Sequence, residues 1–171
     1  MTAEIPDFRP ALTRLLPDLR AFARFLTRDL TAADDLVQDT LLRALRAESQ
    51  WQPGTSLKAW AFSILRNAHY ENRRRAGAER RALDKVHVTE EVEAGQEHRM
   101  EVAGLARALS TLPREQQEAI VLVGALGFSS EDAARVAGVA VGTLKARVSR
   151  GRRALATRFG ERPAEDPPDE G

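Results

Sequence analysis

Residues 129–153 read SSEDAARVAGVAVGTLKARVSRGRR. Ser129 and Asp132 have the spacing of a capping box with Asp in place of Glu, which predicts a short helix from there to Ala137. Gly138 ends it. A short turn containing glycine, followed at once by a second periodic segment, is the pattern of a helix-turn-helix, whose second helix enters the major groove of DNA. On that second helix Leu144, Val148 and Leu155, with Gly151 between them, fall on one stripe at about 100° per residue and are expected to face the module's own core. Thr143, Lys145, Ala146, Ser149, Arg150 and Arg153 form the outward arc, flanked by Arg147 and Arg152. Residues 145–153 carry five cations and no anion, which suits a polyanionic duplex. A solvated basic face is the plainer alternative, but cap, turn glycine and cationic arc agree on DNA.

The chain has 171 residues, 43% of them apolar, enough for one domain or two small ones with a buried core. Lys and Arg total 26 against 25 Asp and Glu, so only the distribution of charge is informative. Residues 66–81 hold six Arg against two Glu, whereas residues 84–101 hold six acids against two bases, and the segment from Glu161 is again acidic. The absence of cysteine excludes disulfides and thiolate zinc sites. The N-terminal MTAEIPDFRP lacks a signal-peptide layout, and the longest apolar run, Ala119 to Phe128, is too short to span a bilayer. A cytoplasmic protein with no membrane association is expected.

Working outward, Pro10 and Pro17 predict a short helix, a break, and a helix from about Asp18 to Thr27 that buries Leu19, Phe22, Ala23 and Leu26. Thr31 is expected to cap the next helix. Its residues 32–47 would bury Leu36, Val37, Leu41, Ala44 and Leu45 and present Asp35, Gln38, Asp39 and Leu42 on another face. After the break WQPGTS, Ser56 can cap a long helix, roughly Leu57 to Arg75, with Trp60, Ile64 and Leu65 as core. Residues 77–100, poor in large apolar side chains and rich in acids, read as a linker. Beyond it, Leu105, Ala108, Leu109 and Leu112 mark one helix, Pro113 opens another at its first turn, and Gly127 closes it before the helix-turn-helix. The Pro-rich acidic stretch 161–171 reads as disordered. The fold class is all-α: a first domain over residues 1–76, an acidic linker over 77–100, and a second domain over 101–160.

Two helical modules on a flexible acidic linker resemble a minimal bacterial sigma factor of the extracytoplasmic-function group. ADDLVQDTLLRAL resembles the helix with which sigma region 2 grips core RNA polymerase, which implies contact roles for Asp35, Gln38 and Asp39, with Leu42 beside them. WQPGTSLKAWAFSILRN resembles the segment that opens and reads the −10 element, and VGTLKARVSRGR the sigma region 4 helix that reads the −35 element. QPGTSLKAWAFSILRN and AIVLVGALGFSSEDAA are similar to the alphaproteobacterial general-stress-response (EcfG-like) branch. A sigma-like fold also occurs there fused to a receiver domain; with only a few residues before the first module, a stand-alone sigma factor is expected. Family members often carry Ser where this chain has Ala146.

The resemblance implies core RNA polymerase, promoter DNA and an anti-sigma protein as partners. For the −10 element it implies that the loop Glu48 to Ser56 with Trp51 forms a pocket for a flipped base, whose unstacking costs a few kcal/mol. Trp51, Trp60 and Phe62 can instead be packing aromatics, which is the preferred reading for Trp60. Asn67 faces the separated strand in that match, with Arg73, Arg74 and Arg75 on phosphates. Thr143, Lys145, Arg147, Ser149, Arg150 and Arg153 are the expected −35 contacts.

No enzyme is expected. Asp34, Asp35 and Asp39 are spaced DDxxxD, with Gln38 where a DDxxD magnesium motif needs its third acid, and no phosphate-cradling glycine loop accompanies them. His69, His87 and His98 are too scattered for a metal set, and no Ser or Lys has an activating partner. No cofactor and no small-molecule substrate are expected. A rival reading is a pure binding module, either a helix-turn-helix repressor or a decoy that sequesters an anti-sigma protein. The first would not need the polymerase-grip segment, nor the second the basic reading helix.

Overall fold

The computed structural model describes residues 7–80 and 98–160, and their regular structure is helical, with no strand among them. The chain divides into two compact units: one carries α1 to α4, the other α5, α6, most of α7 and α8. None of the described helices is long and apolar enough to cross a membrane.

In the first unit α1 spans Phe8–Arg14 and α2 Leu16–Thr27. The expected break falls at Leu15, and α2 starts ahead of Asp18 because Pro17 lies in its first turn, where a missing N–H costs nothing. Leu19, Phe22, Ala23 and Leu26 are buried as predicted. Helix α3 spans Leu30–Arg46 and packs against α2 and α4. Its cap is Asp29 rather than Thr31: Asp29 has the extended backbone an N-cap needs, and its Oδ1 accepts a 2.8 Å hydrogen bond from the Ala32 N–H. Leu36, Val37 and Ala44 are buried, but Leu41 is only half-buried and Leu45 is 41% exposed. Ala33 and Thr40 take inward places instead, the Thr40 hydroxyl donating to the Leu36 carbonyl at 2.7 Å.

A 3-10 turn over Glu48–Gln50 leads to Trp51. This ring is 8% exposed, with Phe8 5.8 Å from it, and Phe8 in turn lies 5.9 Å from Trp60. Helix α4 spans Leu57–Arg80, capped by Ser56, whose Oγ accepts from the Ala59 N–H at 3.0 Å. Phe62 and Leu65 form its core side, Phe62 stacking on Phe22 at 5.3 Å, while Trp60 and Ile64 are half-buried. The helix thus runs past Arg75 and past residue 76, where the first domain was expected to end. Of the expected linker 77–100, residues 77–80 and 98–100 are helical and residues 81–97 lie outside the described residues, as does the acidic stretch 161–171.

In the second unit α5 spans His98–Ser110 and α6 Arg114–Ile120, the latter continuing through a π turn over Val121–Ala125. Pro113 stands one place before α6, as its N-cap. Helix α7, Ser130–Ala137, is capped as predicted: the Ser129 Oγ accepts from the Asp132 N–H at 3.1 Å. Gly138 follows at φ +69°, a left-handed turn that costs a glycine little. Helix α8, Val141–Arg158, buries Leu144, Val148 and Gly151 and half-buries Leu155. It packs closely against α6 at Gly151, where a Cβ would lie 2.5 Å from Ile120 Cδ1 and could enter only if that methyl moved.

Candidate nucleic-acid interface

Because α8 turns Leu144, Val148 and Gly151 inward, its other arc faces solvent. Thr143, Lys145, Arg150, Arg152 and Arg153 are exposed, and Ala146, Arg147 and Ser149 are half-buried at its margins. Cations one helical turn apart on an exposed helix arc match the charge and width of a major groove. Ala146 offers a methyl group to that surface and no hydrogen bond.

On α4 the residues after the core-facing Leu65 form a second basic face. Asn67, Arg73 and Arg74, three of the expected −10 contacts, line one open depression together with Arg66, Tyr70 and Glu71. Arg66 lies over the Tyr70 ring, its guanidinium carbon 4.6 Å from the ring centre. Phosphate-attracting cations interleaved with an aromatic ring are the means by which proteins hold single strands. Two residues named from the sequence stand apart from this face. Arg75 is exposed but turned to Glu71, its Nη2 2.6 Å from Oε1. Trp51 is packed against Phe8, so its ring is a packing aromatic and not an open stacking surface.

Helix α3 carries the acidic face. Asp35, Gln38 and Leu42 are exposed, Leu42 by 53%, and the unexpectedly exposed Leu45 extends the apolar part of this surface by a turn. Asp39 is half-exposed and accepts from Arg43 Nε at 3.1 Å. The same guanidinium crosses to α4, where Arg43 Nη1 lies 2.7 Å from Glu71 Oε2. The hydrogen bond to Arg43 holds the Glu71 carboxyl below its ordinary pKa of 4.5, with the charge of Arg75 assisting. The two acids in turn raise the Arg43 guanidinium above its ordinary value. Among the described residues no His, Cys, Asp and Glu side chains converge in a group able to hold a metal ion.

Sequence reasoning missed Arg66 and Tyr70, although their i, i+4 spacing on a helix was a usable signal. It missed the Arg43–Glu71 bridge as well, which joins residues 28 apart and has no local signature.

Known proteins match both units. Residues 11–79 match the family description Sigma-70 region 2, and residues 103–155 match Sigma-70, region 4. The chain is 45% identical over 150 residues to the ECF RNA polymerase sigma factor EcfG of Rhodopseudomonas palustris, covering 87% of this chain and 83% of that one. Among solved structures it is similar to the sigma factor RpoE of Bartonella quintana, determined in complex with the anti-sigma factor NepR, at TM-score 0.80 and 42% identity over 90% of this chain and 97% of that one. It is also similar to CnrH, determined with the cytosolic domain of CnrY, at TM-score 0.66 and 27% identity over 90% and 87% of the respective chains. The basic helix-turn-helix, the exposed arginines of α4 and the acidic helix therefore sit in a protein that belongs to the extracytoplasmic-function group of RNA polymerase sigma factors.

Proposed function

We propose that this sigma factor docks on core RNA polymerase through Asp35, Gln38, Asp39 and Leu42 of α3. It holds the unpaired −10 strand on Asn67, Arg73 and Arg74 of α4, and reads the −35 element with Thr143, Lys145, Arg147, Ser149, Arg150 and Arg153 of α8. The observation that carries this reading is the segregation of charge onto separate helix faces. An acidic face suits a basic protein surface, and two basic faces suit a duplex and a single strand. Arg75, held by Glu71, serves that pair before it serves a phosphate.

Regulation belongs to the same reading. RpoE of Bartonella quintana was determined with an anti-sigma factor, and this chain is proposed to be held inactive by a protein of that kind and released in a stress response. Transcription with purified core polymerase and this protein on a pool of genomic fragments tests the function. Transcripts that start downstream of a shared pair of motifs are expected. A start-site pattern no different from that of core enzyme alone would contradict the reading.

A further inference from the structure

A chain of four charges links the docking face of α3 to the strand-facing side of α4. Asp39 accepts from Arg43 Nε at 3.1 Å, Arg43 Nη1 reaches Glu71 Oε2 at 2.7 Å, and Arg75 Nη2 reaches Glu71 Oε1 at 2.6 Å. The side chains of Arg43 and Glu71 are 34% and 33% exposed, so the bridge sits at the surface, where ion pairs add little to stability. Its place says more than its strength. Glu71 is the acid that lines the depression formed by Arg66, Asn67, Arg73 and Arg74, and a bare carboxylate there would oppose a phosphate. Each of its oxygens instead meets a guanidinium.

We propose that Arg43 is a positioning residue for promoter DNA. It binds the Glu71 carboxylate in its fork, so that the unpaired strand meets Asn67, Arg73 and Arg74 without an opposing anion, and it holds Asp39 of the polymerase face with the same fork. A lysine could not serve both acids in this way, since it presents a point charge in place of a planar fork. This inference rests on the reading of α4 as the surface for the −10 strand.

The test uses holoenzyme formed with saturating core polymerase, so that a docking defect does not enter. The probe is a fork-junction DNA with an unpaired −10 non-template strand, taken from a promoter selected by the wild-type holoenzyme. Arg43→Ala should weaken binding about three- to fivefold at low salt, the scale of one exposed charge pair, and the gap should close as salt rises. Adding Glu71→Gln to Arg43→Ala should restore binding, and Glu71→Gln alone should bind at least as well as wild type. A purely structural role for Arg43 would give a loss that neither salt nor Glu71→Gln repairs, and that result would overturn the proposal. So would wild-type binding by Arg43→Ala, or a loss in Glu71→Gln alone. If the wild-type holoenzyme fails to hold the unpaired strand, the reading of α4 falls first and this inference with it.

Discussion

At Gly151 helices α8 and α6 approach closely, and a Cβ there would meet Ile120 Cδ1 at 2.5 Å, Cγ1 at 3.3 Å and Gln116 Cβ at 3.5 Å. The terminal methyl of Ile120 can rotate away, and Ala gains about 1 kcal/mol of helix propensity over Gly, so Gly151→Ala should stay within about 1 kcal/mol of wild type. Gly151→Val has no such escape, because its branches also press on Ile120 Cγ1 and Gln116, and it should cost about 1–3 kcal/mol. Thermal melting separates the two; a valine variant as stable as wild type would mean that α6 and α8 are further apart than the structure has them. Arg28 presents the opposite case, a bulky residue at φ +54° just after α2. Left-handed backbone costs a non-glycine residue about 1 kcal/mol. Arg28→Gly should therefore raise the melting temperature, and a fall would show that its side chain contributes more than its backbone loses. At this scale the inward stripe of α8, with Gly151 in it, was legible from periodicity alone, whereas the strain at Arg28 was not, since arginine carries no turn signal.

Helices α3 and α4 show where local sequence stops being sufficient. Ser56 and Ser129 were readable as caps because each precedes a clear apolar period, but before α3 the expected cap was Thr31, and the extended backbone at Asp29 moves it two residues earlier. The last turns of α4 have no apolar face to announce them; Glu71 and Arg75, four apart, help to hold a solvated helix there. Trp51 looked like a loop aromatic because its partner Phe8 comes from α1, far back in the chain. The Arg43–Glu71 bridge between the two helices makes a pH prediction. Glu71 has its carboxyl depressed by Arg43, so its contribution to stability is present above its ordinary value of 4.5 and is lost as pH falls through the lower folded value. The melting temperatures of wild type and Glu71→Gln should therefore converge on acidification below about pH 4.5; a constant difference would exclude this carboxylate as the titrating group. On the acidic surface of α3, Asp35→Ala with Asp39→Ala should weaken capture of core polymerase in a pull-down. Stability should change by less than about 1 kcal/mol, because both acids are at the surface and the Asp39–Arg43 pair is a partly exposed one. Unchanged capture would remove this face from the interface.

The molecule as a whole divides into two units, each with its own core and its own basic face, which the proposed function assigns to different parts of a promoter. That organisation was largely legible, since the break in apolar content after α4 and the helix-turn-helix pattern at Gly138 are both properties of the sequence. The proposed function separates reading from holding DNA within α8. In it Arg150, exposed at the middle of the outward arc, meets a base edge, a contact worth about 1–3 kcal/mol of discrimination. Arg153, exposed a turn further along, is assigned to a phosphate, which lowers affinity for all sequences alike when lost. Selection from a promoter library with a randomised −35 element, by holoenzymes carrying wild-type protein, Arg150→Ala or Arg153→Ala, tests most directly whether α8 reads the promoter. Arg150→Ala should flatten the preference at one or two −35 positions, while Arg153→Ala should keep the ranking, weaken every site and reduce the salt slope by roughly one unit. A −35 ranking that survives Arg150→Ala intact would contradict the assignment of this residue to base readout, and a wild-type holoenzyme with no −35 preference at all would contradict the role given to α8.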